Sequence, residues 1–197
     1  MSKGNLIIVS GPSGSGKDTI LAELFKLHPD IEFSISNVTR KRREGEGDKY
    51  HFITKEEFLK LLQDDMMLEY NEYLGNYYGT PRQPVEKAIE SGRDIIVEID
   101  VNGAENIKKK MPQAISIFIL PPSMEVLQSR LKRRGTETDE QIQGRLTQAK
   151  NEIARISQYD YVVFNDDLSD AVKDVEMIIL SNRMKYKNQK QTIERKF

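Results

Sequence analysis

The stretch Gly11-Pro12-Ser13-Gly14-Ser15-Gly16-Lys17-Asp18-Thr19 combines glycines, hydroxyls and one lysine at a spacing suited to holding phosphate. Glycines let consecutive backbone N–H groups converge on one anion. A helix that follows adds its unsatisfied N-terminal amides, and the lysine contributes a mobile point charge. The surroundings fit that chemistry: an apolar run, Leu6 to Val9, precedes the loop, and Ile20, Leu21, Leu24, Phe25 and Leu27 follow at helical spacing. Strand, glycine-rich turn and helix form the context in which such a loop works. The position after the lysine ordinarily carries a Ser or Thr whose hydroxyl meets Mg²⁺. Here it is Asp18, followed by Thr19. Both offer the oxygen ligands that Mg²⁺ favours, and the sequence leaves the choice between them open.

Two further groups of charged residues could act on a phosphate. Arg40, Lys41, Arg42 and Arg43 run into Glu44-Gly45-Glu46-Gly47-Asp48, a glycine-bearing loop able to fold a basic patch around a small anion. Taken alone, that run reads as a solvated face or a nucleic-acid patch. Arg130 and Arg145 flank the turn Arg134-Gly135-Thr136-Glu137-Thr138. A helical hairpin there would bring both guanidiniums over one site, where planar donors stabilise charge spread over transferring oxygens. The apolar run from Asp94 ends in Glu98-Ile99-Asp100, which places an acid at a strand end to hold a metal's waters.

The elements needed to position these groups alternate along the chain. The first helix stops before Pro29, and the alternation over Phe33 to Arg40 predicts one strand. Thr54, with Glu57 three residues on, opens a helix as a capping box, and Gly75-Asn76 sits at the tip of a tyrosine-rich hairpin, Met67 to Pro81. A helix from about Pro84 to Ser91, a strand at Asp94 to Asp100 and a helix over Gly103 to Lys110 follow. Then come a strand over Ala114 to Leu120, a helix at Met124 to Arg133 and a long polar helix from about Asp139 to Ile156. A strand at Tyr161 to Phe164 and a helix from about Ser169 complete the order, with Lys185 to Phe197 a frayed, solvated helix end. Such alternation predicts an α/β fold with a parallel sheet.

Composition removes several classes of function. The 197 residues suit one compact domain, and 30 Lys plus Arg against 31 Asp plus Glu leave no global field toward nucleic acid or an anionic membrane. The absence of cysteine excludes disulfides and thiolate metal sites. His28 and His51 are too few for a histidine-built metal site, and both read as surface residues. The first strand begins almost at once, with no room for a signal peptide, and no apolar run approaches membrane-spanning length, so a soluble cytoplasmic protein is expected.

Taken together, Gly11 to Thr19, Thr39-Arg40 to Glu46, Gly75-Asn76-Tyr77-Tyr78-Gly79-Thr80, Glu98-Ile99-Asp100 and Arg134-Gly135-Thr136-Glu137 make the chain resemble the guanylate kinases over nearly its whole length. The resemblance implies a P-loop NTPase-like fold: a parallel five-stranded core sheet flanked by helices, an inserted small α+β GMP-binding region and a helical lid. The core would be residues 1–33, 94–125 and 157–197, the acceptor region about 34–93 and the lid about 126–156. It implies transfer from ATP to GMP, giving ADP and GDP in purine metabolism, with Mg²⁺, no membrane or nucleic acid, and a monomer or homodimer.

By the same resemblance, Ser36, Arg40, Arg43, Tyr50 and Tyr78 hold the acceptor phosphate, with Glu46 beside them, and Glu69 and Thr80 read guanine. Asp100, with Glu98 beside it, stands at the junction of acceptor and metal, the donor phosphates lie on Gly14, Ser15, Gly16 and Lys17, and the adenine lies near Asn165. Arg130, Arg134 and Arg145 bridge phosphates from the lid. The chain departs from the family pattern at Asp18, at Asn37-Val38, at Arg42, at Lys49 and in its short stretch between Glu46 and Tyr50. Two rivals follow: a related kinase acting on a phosphorylated sugar, and a non-catalytic guanylate-kinase-like module that binds proteins.

Overall fold

The computed structural model describes residues 3–42, 50–73, 75–133 and 138–197. Arg43, Glu46 and Arg134, named above as site residues, lie outside the described residues. The first half contains β1 (Leu6–Ser10), α1 (Lys17–Leu27), β2 (Glu32–Phe33), β3 (Ser36–Val38), β4 (Tyr50–Phe52), α2 (Lys55–Gln63), β5 (Met67–Tyr73), β6 (Asn76–Pro81) and α3 (Arg82–Glu90). The second contains β7 (Ile95–Glu98), α4 (Val101–Lys110), β8 (Ile115–Leu120), α5 (Met124–Arg133), α6 (Asp139–Ile153), β9 (Tyr161–Phe164), α7 (Leu168–Arg183) and α8 (Tyr186–Lys196).

β1 is the centre of a five-stranded sheet of order β2-β7-β1-β8-β9, parallel throughout. Its side chains divide the protein into layers. Ile7 and Val9 pack with Leu21 and Leu24 of α1 and Val175 and Ile179 of α7, whereas Leu6 and Ile8 pack with Val85 of α3 and Ala104 and Ile107 of α4. A strand covered on both faces needs an unbroken apolar run, which explains why Leu6 to Val9 shows no polar alternation. The helices α5 and α6 bury Leu127, Leu131, Ile142, Leu146 and Ala149 in a small core of their own. That hairpin is thus a unit set on the larger body.

A second sheet, of order β4-β3-β6-β5, lies between β2 and β7 in the chain. The single strand expected over Phe33 to Arg40 is in fact two. β2 pairs with β7 in the first sheet, Ser34 N still donates to Ile96 O at 2.9 Å, and from Ser36 the chain runs in the second sheet. Side-chain alternation continues through the switch, so periodicity carries no mark of it. Several helix ends also move. Capped by Asp100, α4 begins at Val101, two residues before the expected start, α3 begins at Arg82 with Pro84 in its first turn, and α6 stops at Ile153 before a 3₁₀ turn at Ile156–Gln158. The capping boxes at Thr54 and Thr138 fix the starts of α2 and α6.

The C-terminal stretch forms a helix of its own, α8, solvated over most of its length as expected but tied to the body at its first turn. Asn188 Nδ2 donates to Asn5 Oδ1 at 2.8 Å and to Asn182 O at 2.7 Å. His28 is half-buried rather than a plain surface residue, with Nε2 2.5 Å from Glu176 Oε1, while His51 is exposed as expected. Beneath α8, at the end of the sheet where β1 and β7 begin, a cavity of about 230 Å³ is lined by Asn5, Asp30, Asp94 and Arg183. Asp94 is 3% exposed; Oδ1 accepts from Asn5 N at 2.7 Å and Oδ2 from Arg183 Nε at 2.6 Å. Arg183 Nη2 also reaches the exposed Asp30 at 3.0 Å. Removing the guanidinium leaves a buried carboxylate oxygen without its donor, whereas removing Asp30 costs only an outer contact. Arg183→Ala is therefore expected to lower the urea unfolding free energy by about 2–3 kcal/mol, and Asp30→Ala by less than about 0.5 kcal/mol.

Candidate active site

The glycine-rich loop joins β1 to α1, and its shape is held through its carbonyl oxygens. Ser15 O accepts from Asn165 Nδ2 at 2.7 Å and from Arg130 Nη1 at 3.2 Å, while Arg130 Nη2 donates to Asn165 O at 3.0 Å. Lys17 Nζ crosses back to Gly11 O at 2.7 Å and Pro12 O at 3.3 Å, with Glu98 Oε1 3.8 Å away. Arg145 Nη1 donates to Ser13 Oγ at 2.6 Å. Gly16 caps α1 with φ 95°, and a β-carbon there would stand 2.1 Å from Asn165 Nδ2. Conformation and space both demand glycine at that position. The fold thus gathers Lys17, Arg130, Arg145 and Asn165, widely spaced in sequence, around Ser13 to Gly16. Asp18 and Thr19 are both exposed in the first turn of α1.

On the second sheet, Ser36 pairs with Tyr50 and Val38 with Tyr78. The Tyr50 and Tyr78 rings meet edge to face at 6.4 Å, and the Arg40 guanidinium lies 5.1 Å from the Tyr50 ring centre. Ser36, Arg40, Tyr50 and Tyr78 therefore stand as one group. Further along the hairpin, Glu69 faces Thr80, whose Oγ1 donates to Glu69 Oε1 at 2.7 Å. Glu69 is 6% exposed and Thr80 is fully buried. Burial pushes the Glu69 carboxyl up to about 7; the negative charge of Asp100 pushes the same way, and the Thr80 bond opposes it. A β-carbon on Gly103 would stand 2.8 Å from Glu69 Oε2, so the first turn of α4 accommodates that carboxylate only because residue 103 is glycine. Asp100 caps the same turn: its Oδ1 accepts from Gly103 N at 2.8 Å, and its Oδ2 from Asn71 Nδ2 at 2.6 Å.

The family model described as guanylate kinase matches residues 3–182. The chain belongs to the guanylate kinase family. It is 46% identical over 189 residues to the guanylate kinase of Carboxydothermus hydrogenoformans, covering 95% of this chain and 93% of that one. To the guanylate kinase of Oceanobacillus iheyensis it is 48% identical, covering 93% of this chain and 90% of that one. The crystal structure of guanylate kinase from Anaplasma phagocytophilum superposes with a TM-score of 0.78 at 33% identity, covering 95% of this chain and 90% of that one.

Three residues of this guanylate kinase fold escaped the sequence reading. Asn71 and Gly103 are adjacent to Asp100 and Glu69 only in space. Glu152 follows Arg145 on α6 by two helical turns and so shares its face. Burial pushes the Glu152 carboxyl up, opposed by the Gln148 amide and by the charge of Lys17. The spacing of Arg145 and Glu152 was the signal available for it. Beyond it, Arg155 grips α4, with Nη1 donating to Asn102 Oδ1 at 2.5 Å and Nη2 paired with Glu105 Oε2.

The raised Glu69 carboxyl links stability to pH. The folded chain holds that proton more tightly than the unfolded chain, whose carboxyl titrates near 4.5. The stabilisation is complete below that value and is lost as pH rises through about 7. Glu69→Gln removes the titration. Its unfolding free energy relative to the parent is expected to rise by about 2–3 kcal/mol between pH 5 and pH 8, measured by urea titration at each pH.

Proposed function

We propose that this member of the guanylate kinase family transfers the γ-phosphoryl group of ATP directly to the phosphate of GMP, giving ADP and GDP. The observation that carries the acceptor assignment is the buried Glu69 carboxylate facing the Thr80 hydroxyl across the hairpin. Guanine presents N1–H and the N2 amine as donors and O6 as an acceptor. An ionised Glu69 accepts both hydrogen bonds, and the Thr80 hydroxyl turns from Glu69 to donate to O6. Adenine offers no donor at N1 and would leave a buried carboxylate unpaired, a cost of several kcal/mol and a discrimination of about a thousandfold or more.

Ser36, Arg40, Tyr50 and Tyr78 hold the GMP phosphate, joined by Arg43 and Glu46. The amides of Gly14, Ser15 and Gly16 cradle the ATP phosphates, and Lys17 swings from Gly11 O onto them. Arg130 and Arg145 reach the loop from the α5–α6 hairpin, the lid of the enzyme, and bring planar donors to the transferring oxygens; Arg134 is assigned the same role. Asn165 serves the donor site by holding Ser15 O and Arg130. The reaction then needs positioning and charge neutralisation rather than a covalent enzyme intermediate.

Mg²⁺ suits the oxygen donors next to the loop, the Asp18 carboxylate and Thr19 hydroxyl in the first turn of α1 and the Glu98 carboxylate beside Lys17, with water between. Bound there, it neutralises charge on the donor phosphates.

An ADP-release assay with ATP and Mg²⁺ tests the reading. Turnover is expected on GMP and not on AMP, UMP, CMP or ribose bisphosphate, and Lys17→Ala is expected to lower kcat by a factor of about 10² or more. Turnover on ribose bisphosphate alone would move the assignment to a sugar-phosphate kinase. GMP recognition requires ionised Glu69, so kcat/KM for GMP is expected to fall about tenfold per unit below pH 7, and that limb is expected to vanish in Glu69→Gln.

A further inference from the structure

We propose that Asn71 is a positioning residue for the acceptor base, acting through Asp100, an inference that rests on the assignment of the β5–β6 face to guanine. Strand alternation places Glu69 and Asn71 on one side of β5, and their partners across the hairpin are Thr80 and Tyr78. Those four residues form a square on one face. Three corners belong to the acceptor site already, and Asn71 is the fourth.

Its amide reaches from this face to the exposed Asp100 carboxylate, Nδ2 donating to Oδ2 at 2.6 Å. A carboxylate only accepts, so the amide nitrogen is the atom that faces it. The other oxygen of Asp100 is held from the opposite side by Gly103 N at 2.8 Å. Each oxygen thus has one fixed donor, one from the hairpin and one from α4, and each keeps a lone pair directed elsewhere.

The bond also crosses between the two sheets. Glu69 belongs to the hairpin of the second sheet, and Asp100 caps α4 two residues after β7 of the first. Their relative placement decides whether one base edge meets both carboxylates, and Asn71 ties that placement at the point of contact. Without its donor, Asp100 is pinned at one oxygen and free to rotate, and two negative charges face each other across the pocket with one dipole fewer between them. On the proposed assignment the donor phosphates lie on Gly14 to Lys17 and not on these groups, so the effect is expected on KM for GMP and not on that for ATP.

The experiment compares steady-state kinetics of the full chain with Asn71→Ala, Asn71→Asp and Asn71→Ser, together with Asp100→Asn. Asn71→Ala is expected to raise KM for GMP about tenfold, with KM for ATP within about twofold and kcat within about threefold. Asn71→Asp keeps the shape but exchanges the donor for a third carboxylate, and is expected to be worse than alanine by a further factor of about ten. Asn71→Ser, smaller but still a donor, is expected to fall between the parent and alanine. A residue that merely fills space gives the reverse order, with the isosteric Asp nearest the parent, and that order overturns the proposal. So does an unchanged KM for GMP in Asn71→Ala while Asp100→Asn raises it. An unchanged KM for GMP in Asp100→Asn overturns instead the placement of Asp100 in the acceptor site, and this inference falls with it. Should the alanine chain fail to fold, the order of Asp and Ser against the parent decides the question.

Discussion

The shape of the glycine-rich loop rests on bonds to its carbonyl oxygens, one from a loop amide, Ser15 N to Pro12 O at 3.0 Å, and the rest from side chains. Ser15 O takes Asn165 and Arg130, and Gly11 O takes Lys17. Each donor comes from a different place in the chain, so the loop is fixed only when β9, α5 and α1 are all packed. Arg130 and Lys17 are also the groups with charge to offer an anion. The contacts that shape the loop before nucleotide arrives are thus made by side chains able to exchange carbonyl partners for phosphate, which places the stronger ligand in a site already preorganised.

The acceptor side is built on a different tension. Recognition of guanine needs a carboxylate sealed from water, and sealing raises the carboxyl to about 7. The structure resolves this partially, with a hydroxyl from Thr80 on one oxygen and a glycine at residue 103 that leaves space at the other. On the proposed assignment the residual cost stays in the folded chain until guanine supplies two donors. Selectivity and strain therefore have the same origin. A more comfortable Glu69 would bind its substrate less tightly and reject adenine less well.

Local chemistry was legible in the sequence and long-range chemistry was not. The phosphate loop, the capping box at Thr54 and the tyrosine hairpin are specified by residues close together, and each formed where its pattern placed it. The switch between sheets at Ser34 and Ile35 was hidden because a strand has the same period in either sheet. Gly103 reads in sequence as a poor helix residue, and its reason, the Glu69 oxygen, lies 34 positions earlier in the chain. Asn71 is one polar residue in a polar strand until Asp100 stands opposite it. The anchoring of α8 at its first turn was equally invisible, since the amides at Asn188 and Gln189 have no evident partners until Asn5 and Arg183 stand beside them.

The first turn of α4 is where these separate arguments meet. Asp100 caps it, Gly103 abuts Glu69, and Asn102 and Glu105 are held by Arg155 just beyond α6. That turn is rooted in the first sheet through β7, one of the two strands that flank β1. The base-reading residues and the base of the α5–α6 hairpin are therefore both referred to one rigid element. The α5–α6 hairpin, the lid on the proposed reading, is thus tied to the helix that also fixes the far end of the proposed acceptor pocket. Arg145 and Glu152 share one face of α6: Arg145 bonds Ser13 Oγ, and Glu152 feels the charge of Lys17. Alignment of donor and acceptor needs a common reference more than it needs rigidity in either arm, and the helix end capped by Asp100 supplies one on the proposed assignment.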